Sequence, residues 1–159
     1  MIQPIGEWVL WAACRQLADF REAGLDSLRM AINISAIQMR NGNLPMLVRG
    51  IIEAFELKAE NLMFEITESA AMEQPTETVR ILDLLHDMGI NIAIDDFGTG
   101  YSSLETLRAF PFDKIKLDRS FMNEVEASPE AKAIIRAILA LGQTLRVPVL
   151  AEGVETSSQ

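Results

Sequence analysis

Two spacings of apolar residues alternate along the chain. Apolar residues three or four positions apart indicate helices, and short apolar runs with period-two alternation indicate strands. Helices are predicted over residues 4–23, 45–55, 75–88, from 102 to just before Pro111, and from 128 through 145, and strands over residues 28–35, 62–67, 90–95, 114–118 and 148–152. This alternation predicts an α/β fold in one domain, with about five parallel strands covered by helices.

Several local signals mark the ends of the helices and the buried face of the first one. Ser102 and Glu105 have the spacing of a capping box, and Pro129 follows Ser128 as expected where a helix begins. In the first helix, the apolar stripe is assigned to Ile5, Trp8, Ala12 and Phe20. Cys14 lies on the same helix and is predicted to be a packed thiol.

The composition is that of a globular protein without a disulfide framework. The chain has 159 residues, of which 49% are hydrophobic and 23% charged, and its single cysteine excludes an internal disulfide. The net charge of -9 argues against binding of a nucleic-acid polymer, which needs clustered Lys and Arg. No apolar run is long enough to span a bilayer. We expect a cytoplasmic location, either alone or as the cytoplasmic part of a larger membrane-anchored protein.

Polar residues stand near the carboxyl ends of the predicted strands. They are Asn33, Glu65, Asp95, Lys116 and Glu152. Their spacing approximates the roughly 30-residue βα unit of an eightfold barrel. Side chains alternate between the two faces of a strand, so the apolar neighbours of these residues face the helices and the polar set faces the barrel axis. The pattern predicts a TIM-type (β/α)₈ barrel with its active site at this rim.

The residue types at the rim favour divalent-cation chemistry. Asp95 and Asp96 are adjacent, and two carboxylates at short range repel unless a cation or a lysine neutralises them. Oxygen ligands without a local Cys or His cluster suit Mg²⁺, Mn²⁺ or Ca²⁺ better than Zn²⁺. The paired acids could divide their oxygens between two ions, as in enzymes that hydrolyse phosphodiesters.

Two further rim features leave alternatives open. Lys116 could stabilise developing negative charge, with Glu152 accepting a proton or holding the lysine, or Lys116 could form a structural ion pair with Asp118. Gly98 and Gly100 could bring backbone amides close to an anion, or they could form only a tight turn after the strand.

Five ordered segments resemble the EAL family, whose members are cyclic di-GMP phosphodiesterase domains. The segments are Asn33-Ile34-Ser35, Glu65-Ile66-Thr67-Glu68-Ser69, Asp95-Asp96-Phe97-Gly98-Thr99-Gly100-Tyr101-Ser102-Ser103-Leu104, Lys116-Leu117-Asp118-Arg119-Ser120-Phe121 and Ala151-Glu152-Gly153-Val154-Glu155-Thr156. The resemblance implies a modified (β/α)₈ barrel that hydrolyses cyclic di-GMP to linear pGpG. It also implies two ions of Mg²⁺ or Mn²⁺, with inhibition by Ca²⁺.

The resemblance assigns roles to individual residues. It implies that the metal ligands are Asn33, Glu65, Asp95 and Asp96, with Asp95 and Asp96 serving the second ion. It places Lys116 beside the catalytic water and makes Glu152 a base or an aid to metal binding. Glu68 would anchor the loop after Asp96, a loop linked in the family to dimerisation and to control of the metal site. The remaining substrate or loop residues would be Gly98, Thr99, Asp118 and Glu155.

The resemblance also implies that residues 1–159 form a partial EAL domain. The Glu-Ala-Leu motif is expected on a strand upstream of Met1, and the family's final strand after Gln159, which leaves about five of roughly eight barrel strands here. A metal-ligating glutamate would then lie outside the chain. Open sheet edges favour association, so a homodimer is expected, and a longer protein would carry sensory or GGDEF-type domains.

Two other functions compete with catalysis by an EAL domain. One is a catalytically inactive module that binds cyclic di-GMP or a protein partner as a regulator. The other is an enolase-like barrel, because Lys114-Ile115-Lys116 and acidic strand ends could abstract a proton beside Mg²⁺. The order of residues counts against the enolase-like barrel, since in that superfamily the lysine pair precedes the acids.

Overall fold

A computed structural model describes residues 2–40, 42–100 and 104–159. Within these ranges, five parallel strands form one sheet in the order β1-β2-β3-β4-β5. The strands are β1 (Met30–Asn33), β2 (Leu62–Thr67), β3 (Asn91–Phe97), β4 (Lys114–Leu117) and β5 (Val149–Ala151). The helices are α1 (Ile2–Glu22), α2 (Ala36–Arg40), α3 (Leu44–Ala54), α4 (Glu68–Glu73), α5 (Pro75–Asp87), α6 (Leu104–Ala109), α7 (Arg119–Glu124) and α8 (Pro129–Leu145), with a short 3₁₀ helix at Ala59–Asn61. The predicted α/β fold is confirmed, and none of the helices in these ranges has both the length and the apolar character needed to cross a membrane.

The strand register brings the polar rim residues to one edge of the sheet. Asn33 lies opposite Glu65 on the neighbouring strand, and Thr67 lies opposite Asp95. The pairing of β3 with β4 shifts between Ile94 and Phe97, so β3 is irregular where its acids stand. Such an irregularity re-aims side chains at the end of a strand.

The face of the sheet opposite the polar set is the core, as the alternation predicts. Its fully buried members include Ile32, Phe64, Ile66, Ile94, Ile115 and Leu117. The edge strand β5 departs from this pattern, since Val149 is only half-buried and Ala151 is exposed. Burial is not confined to this face, because Met63, Ala93 and Lys116, which have the parity of the polar set, are buried as well.

The apolar stripe assigned to α1 is wrong. Trp8 is 69% exposed and Ile5 is also exposed, whereas Leu10, Cys14 and Leu17 are buried. The buried trio has the spacing that places residues on one helix face, so the helix is rotated relative to the prediction. The packed thiol at Cys14 is confirmed, and burial raises the pKa of Cys14 to about 11.

The sequence analysis did not predict α2, α4 and α7. Each is five or six residues long and begins after a polar residue. The Thr67 hydroxyl accepts a hydrogen bond from the Ala70 amide, and the Asp118 carboxylate accepts one from the Ser120 amide. Short helices of this kind depend on their caps more than on apolar periodicity. The cap predicted at Ser128 is confirmed by the Ala131 amide, while the one at Ser102 lies outside the described residues.

Candidate active site at the carboxyl edge of the sheet

The ammonium group of Lys116 is the centre of the polar rim. Its Nζ lies 2.9 Å from Oε2 of Glu65, 3.1 Å from Oδ1 of Asp95 and 2.8 Å from Oε1 of Glu152. These residues come from β2, β3, β4 and the segment just after β5. The predicted convergence of side chains from successive strands is therefore present for four of the five rim residues.

Lys116 is 8% exposed, so its charge depends on these partners. Burial, the largest single influence, lowers the pKa of Lys116, but the hydrogen bonds that Lys116 donates to Glu152, Glu65 and Asp95 together outweigh it and raise the pKa above its ordinary value. Lys116 is therefore a fixed positive charge at neutral pH. Among the described residues Lys116 forms no salt bridge with Asp118, so the alternative of a structural ion pair between them does not hold.

Asn33 completes the rim beside Glu65. Its side chain is exposed at the end of β1, and the register pairs it with Glu65. Amide and carboxylate oxygens are the donors that hard divalent cations prefer, so the residue types fit Mg²⁺ or Mn²⁺. Within the described ranges, however, no group of three or more His, Cys, Asp or Glu side chains is arranged to hold a metal ion. The ammonium of Lys116 contacts the carboxylates instead.

Asp96 occupies a strained position directly after Asp95. Its φ is 51°, a left-handed conformation that residues other than glycine seldom adopt, and its amide donates to Oδ1 of Asp95 over 3.0 Å. Partial burial, together with the negative charges of Asp95, Asp118 and Glu152, raises the pKa of Asp96. Hydrogen bonds from Ser120 lower the pKa of Asp118. The carboxyl groups of Asp96 and Asp118 also share a hydrogen bond, which raises the pKa of Asp96 and lowers that of Asp118.

The loop after Asp96 is held by Glu68, the first residue of α4. Glu68 is 2% exposed, and its Oε2 accepts hydrogen bonds from the amides of Gly98 at 2.8 Å and Gly100 at 3.3 Å. A side chain on Gly100 would meet the Glu68 carboxyl group at 3.0 Å, which explains the glycine. Thr99 closes the turn, because its hydroxyl donates to the Asp96 carbonyl. The two glycine amides thus face a carboxylate of the protein itself.

Two residues change the picture drawn from the sequence. Glu155 is exposed, and its backbone amide donates to the side chain of Gln159, so the structure does not bring it to the Lys116 cluster. Phe121 was missed, although its ring lies against Gly98. Its position three residues after Asp118, within the first turn of a capped helix, is the signal that could have identified it.

Comparison with known proteins identifies the family of this chain. The family model described as "EAL domain" matches residues 1–159. Two curated relatives from Pseudomonas aeruginosa are each 43% identical over the whole chain: the bifunctional diguanylate cyclase/cyclic di-GMP phosphodiesterase MucR and the cyclic di-GMP phosphodiesterase NbdA. The chain covers 23% of MucR and 20% of NbdA, so it spans about a fifth of these relatives.

A solved structure described as the PaMucR phosphodiesterase in complex with c-di-GMP is similar to this chain in fold and sequence. The TM-score is 0.93 with 43% identity, and the match covers 99% of this chain and 64% of the solved one. Because the family model matches the whole chain and the fold is that of a solved EAL-type phosphodiesterase, this chain belongs to the EAL-domain family.

Proposed function

We propose that this chain is the core of a metal-dependent phosphodiesterase that hydrolyses cyclic di-GMP to linear pGpG in bacterial second-messenger signalling. The observation that carries the proposal is the meeting of Glu65, Asp95 and Glu152 around the ammonium of Lys116 at one rim of the sheet. Relatives named as cyclic di-GMP phosphodiesterases and a similar structure solved with c-di-GMP support the choice of substrate.

The oxygen donors at the rim would hold two ions of Mg²⁺ or Mn²⁺. We assign these ions to Asn33, Glu65, Asp95 and Asp96, because amide and carboxylate oxygens suit hard cations. When bound, such ions polarise the phosphoryl group and lower the pKa of water. Ca²⁺ prefers more ligands and a looser geometry, so it should bind without supporting turnover.

The protein's own residues divide the remaining work. Lys116 keeps its proton at neutral pH because its pKa is raised, so its role is electrostatic: it holds a positive charge where the phosphate gains negative charge. Glu152 is the most exposed partner of Lys116, with 39% of its side chain accessible, against 13% for Glu65 and 14% for Asp95. It is therefore the carboxylate best placed to accept the proton of an attacking water.

The surroundings of this activity follow from the same proposal. The functional unit would be a homodimer in the cytoplasm, joined in a longer protein to sensory or GGDEF-type domains. A single cyclic dinucleotide can bind to a protein of net charge -9 because metal ions would lie between its phosphates and the acidic rim.

The direct test is release of pGpG from cyclic di-GMP by this chain and by a version extended at its amino end. We expect turnover with Mg²⁺ or Mn²⁺ and inhibition by Ca²⁺. Glu152→Gln should lower kcat at least about 100-fold, as expected for loss of a general base. Glu126→Gln, an exposed matched control, should leave kcat unchanged. Absence of pGpG from both chains at every metal concentration would contradict the proposal.

A regulatory function is the second candidate. Among the described residues, the carboxylates at the rim contact the ammonium of Lys116, and no three acids are arranged to hold a metal ion. In this case the chain is an inactive module that binds cyclic di-GMP or a protein partner as a regulator. Titration calorimetry with cyclic di-GMP separates the two. Binding without cleavage, with or without Mn²⁺, would replace the enzyme by the regulatory module.

A further inference from the structure

The loop after Asp96 has a second contact besides Glu68. Gly98 has φ of 97°, and a Cβ added there would lie 2.8 Å from Cε2 and 2.9 Å from Cζ of Phe121, and 3.3 Å from Cδ1 of Ile138. Contacts this short leave no room for a side chain. The backbone of the loop is therefore pressed against the edge of the Phe121 ring.

Phe121 reaches this place because α7 begins directly after the rim. Asp118 caps α7 through the Ser120 amide, and the Asp118 carbonyl accepts a hydrogen bond from the Phe121 amide at 3.2 Å. The ring is half-buried and packs against the core cluster. The same short segment also places the Asp118 carboxylate beside Asp96. The start of α7 therefore contacts the end of β3 and the following loop twice: Asp118 lies beside Asp96, and Phe121 lies against Gly98.

Glu68 and Phe121 contact the loop from two different helices. Oε2 of Glu68, on α4, accepts both glycine amides. The ring of Phe121, on α7, lies against Gly98 and adds a second restraint. Since Asp96 has a left-handed backbone just before Gly98, displacement of the loop would release that conformation.

We propose that Phe121 is a positioning residue for the metal-binding rim. Its ring is the seat on which the loop at residues 97–100 rests, and through that loop it fixes the backbone of Asp96. Only the effect of Phe121 on Asp96 and metal binding rests on the proposed function. The contact between the Phe121 ring and the loop can be tested without metal or substrate.

The test compares Phe121→Ala and Phe121→Leu with Phe55→Ala in the full chain. Phe55 is a suitable control because it is also half-buried, packs against the core and forms an edge contact with Trp11, away from the rim. The first measurement is amide hydrogen exchange in the metal-free protein. Phe121→Ala should speed exchange at Gly98 and Gly100 at least about tenfold relative to exchange at Ile94, and Phe55→Ala should produce no such local difference.

The second measurement is Mn²⁺ affinity by electron paramagnetic resonance, followed by steady-state kinetics. Phe121→Ala should weaken Mn²⁺ binding and lower kcat by about tenfold each, with a KM for cyclic di-GMP within about twofold, the usual size of effects from residues behind the metal ligands. Phe121→Leu, which keeps apolar bulk, should recover most of both. If Phe121→Ala does not fold, Phe121→Val, which also removes the ring, replaces it in every comparison, and Phe121→Leu remains the rescue variant.

The outcomes separate the two claims. Exchange at Gly98 and Gly100 that is unchanged, or equally changed by Phe55→Ala, overturns the seating of the loop. Faster local exchange with unaltered Mn²⁺ affinity and kcat overturns the link to Asp96. If neither the parent chain nor the version extended at its amino end binds Mn²⁺ or cleaves cyclic di-GMP, the proposed function fails, while faster local exchange in the Phe121 variants would still support the contact between the Phe121 ring and the loop.

Discussion

Polar side chains at the two edges of the sheet find different kinds of partner. At the amino edge, they bond to the backbone. The Asp113 carboxylate accepts a hydrogen bond from the backbone amide of Ile92 at 2.8 Å, and the side-chain amide of Asn61 donates to the backbone carbonyls of Asp26 and Leu28. At the carboxyl edge, Lys116 bonds only to other charged side chains among the described residues.

This difference separates polar groups that build the fold from polar groups that the fold only carries. A buried backbone amide must have an acceptor, so Asp113 meets a requirement that every folded chain has. In the cluster of Lys116 and three carboxylates, Lys116 bonds to no backbone group among the described residues, although its partner Asp95 also accepts a hydrogen bond from the Asp96 amide. A hydrophobic set of similar shape would serve folding as well or better, so the cluster indicates a site.

Replacement of Lys116 should have the largest effect on both stability and turnover. Among the described residues, Lys116 is the only basic side chain that forms salt bridges with Glu65, Asp95 and Glu152. Lys116→Met removes it, and loss of one partner from a buried ion cluster typically costs about 3–5 kcal/mol. We expect the free energy of unfolding in urea to fall by about 3 kcal/mol and kcat by at least about 100-fold. A stable variant that retains turnover would show that the carboxylates are held apart by other means.

The same variant gives a pH test. Because the pKa of Lys116 is raised, its stabilisation is complete below the ordinary lysine pKa of about 10.4 and is lost only as pH rises through the higher value in the folded protein. The difference in unfolding free energy between the parent chain and Lys116→Met should therefore be the same at about pH 6 and about pH 9. A difference that shrinks across this range would mean that the lysine loses its proton there.

At the amino edge, Asp113→Ala should affect stability and leave catalysis alone. The substitution leaves the Ile92 amide without its acceptor and also removes the 3.4 Å contact between Asp113 and His86. We expect a loss of about 1–2 kcal/mol in urea unfolding and an unchanged kcat per folded molecule. A lower kcat at full folding would show that the two edges are coupled.

The contrast between the edges also explains what the sequence could predict. Alternation within a strand is a local property. The strand at residues 62–67, and the face of the sheet on which Glu65 and Asp95 lie, could therefore be predicted directly. The register that puts Asn33 opposite Glu65 follows once the strands are parallel and neighbouring.

Contacts between distant residues could not be predicted in this way. Lys116 and Glu65 are 51 positions apart, and nothing local favours Glu65 over Asp118 as the partner of the lysine. The rotation of α1 was misjudged for a related reason: Trp8 and Leu10 are both apolar, and the elements packed against α1, which are α2, α3 and β1, decide which one is buried. The short helices α4 and α7 were not predicted because each has only six residues, too few to show an apolar periodicity, and begins at a side-chain cap.

Asp96→Asn should have a smaller effect, opposite in sign for stability and function. Burial and the charges of Asp95, Asp118 and Glu152 raise the pKa of Asp96, so its charged form destabilises the folded state above the ordinary aspartate pKa. Asn also tolerates a left-handed backbone. We expect a gain of up to about 1 kcal/mol at pH 7, which disappears near pH 3, together with weaker Mn²⁺ binding. A loss of stability at pH 7 would contradict the sign of this coupling.

The smallest expected effect lies outside both edges, at a glycine that the site does not use. Gly50 is exposed within α3, and a Cβ there would meet nothing within 4 Å, whereas a Cβ on Gly100 would meet the Glu68 carboxyl group at 3.0 Å. Gly50→Ala should therefore raise the free energy of unfolding by about 0.5–1 kcal/mol, because it removes backbone freedom from the unfolded chain. Urea unfolding measures this gain, and kcat should stay constant while Gly100→Ala lowers it. If Gly50→Ala changed kcat as well, global stability rather than the local seat of the loop would control the rim.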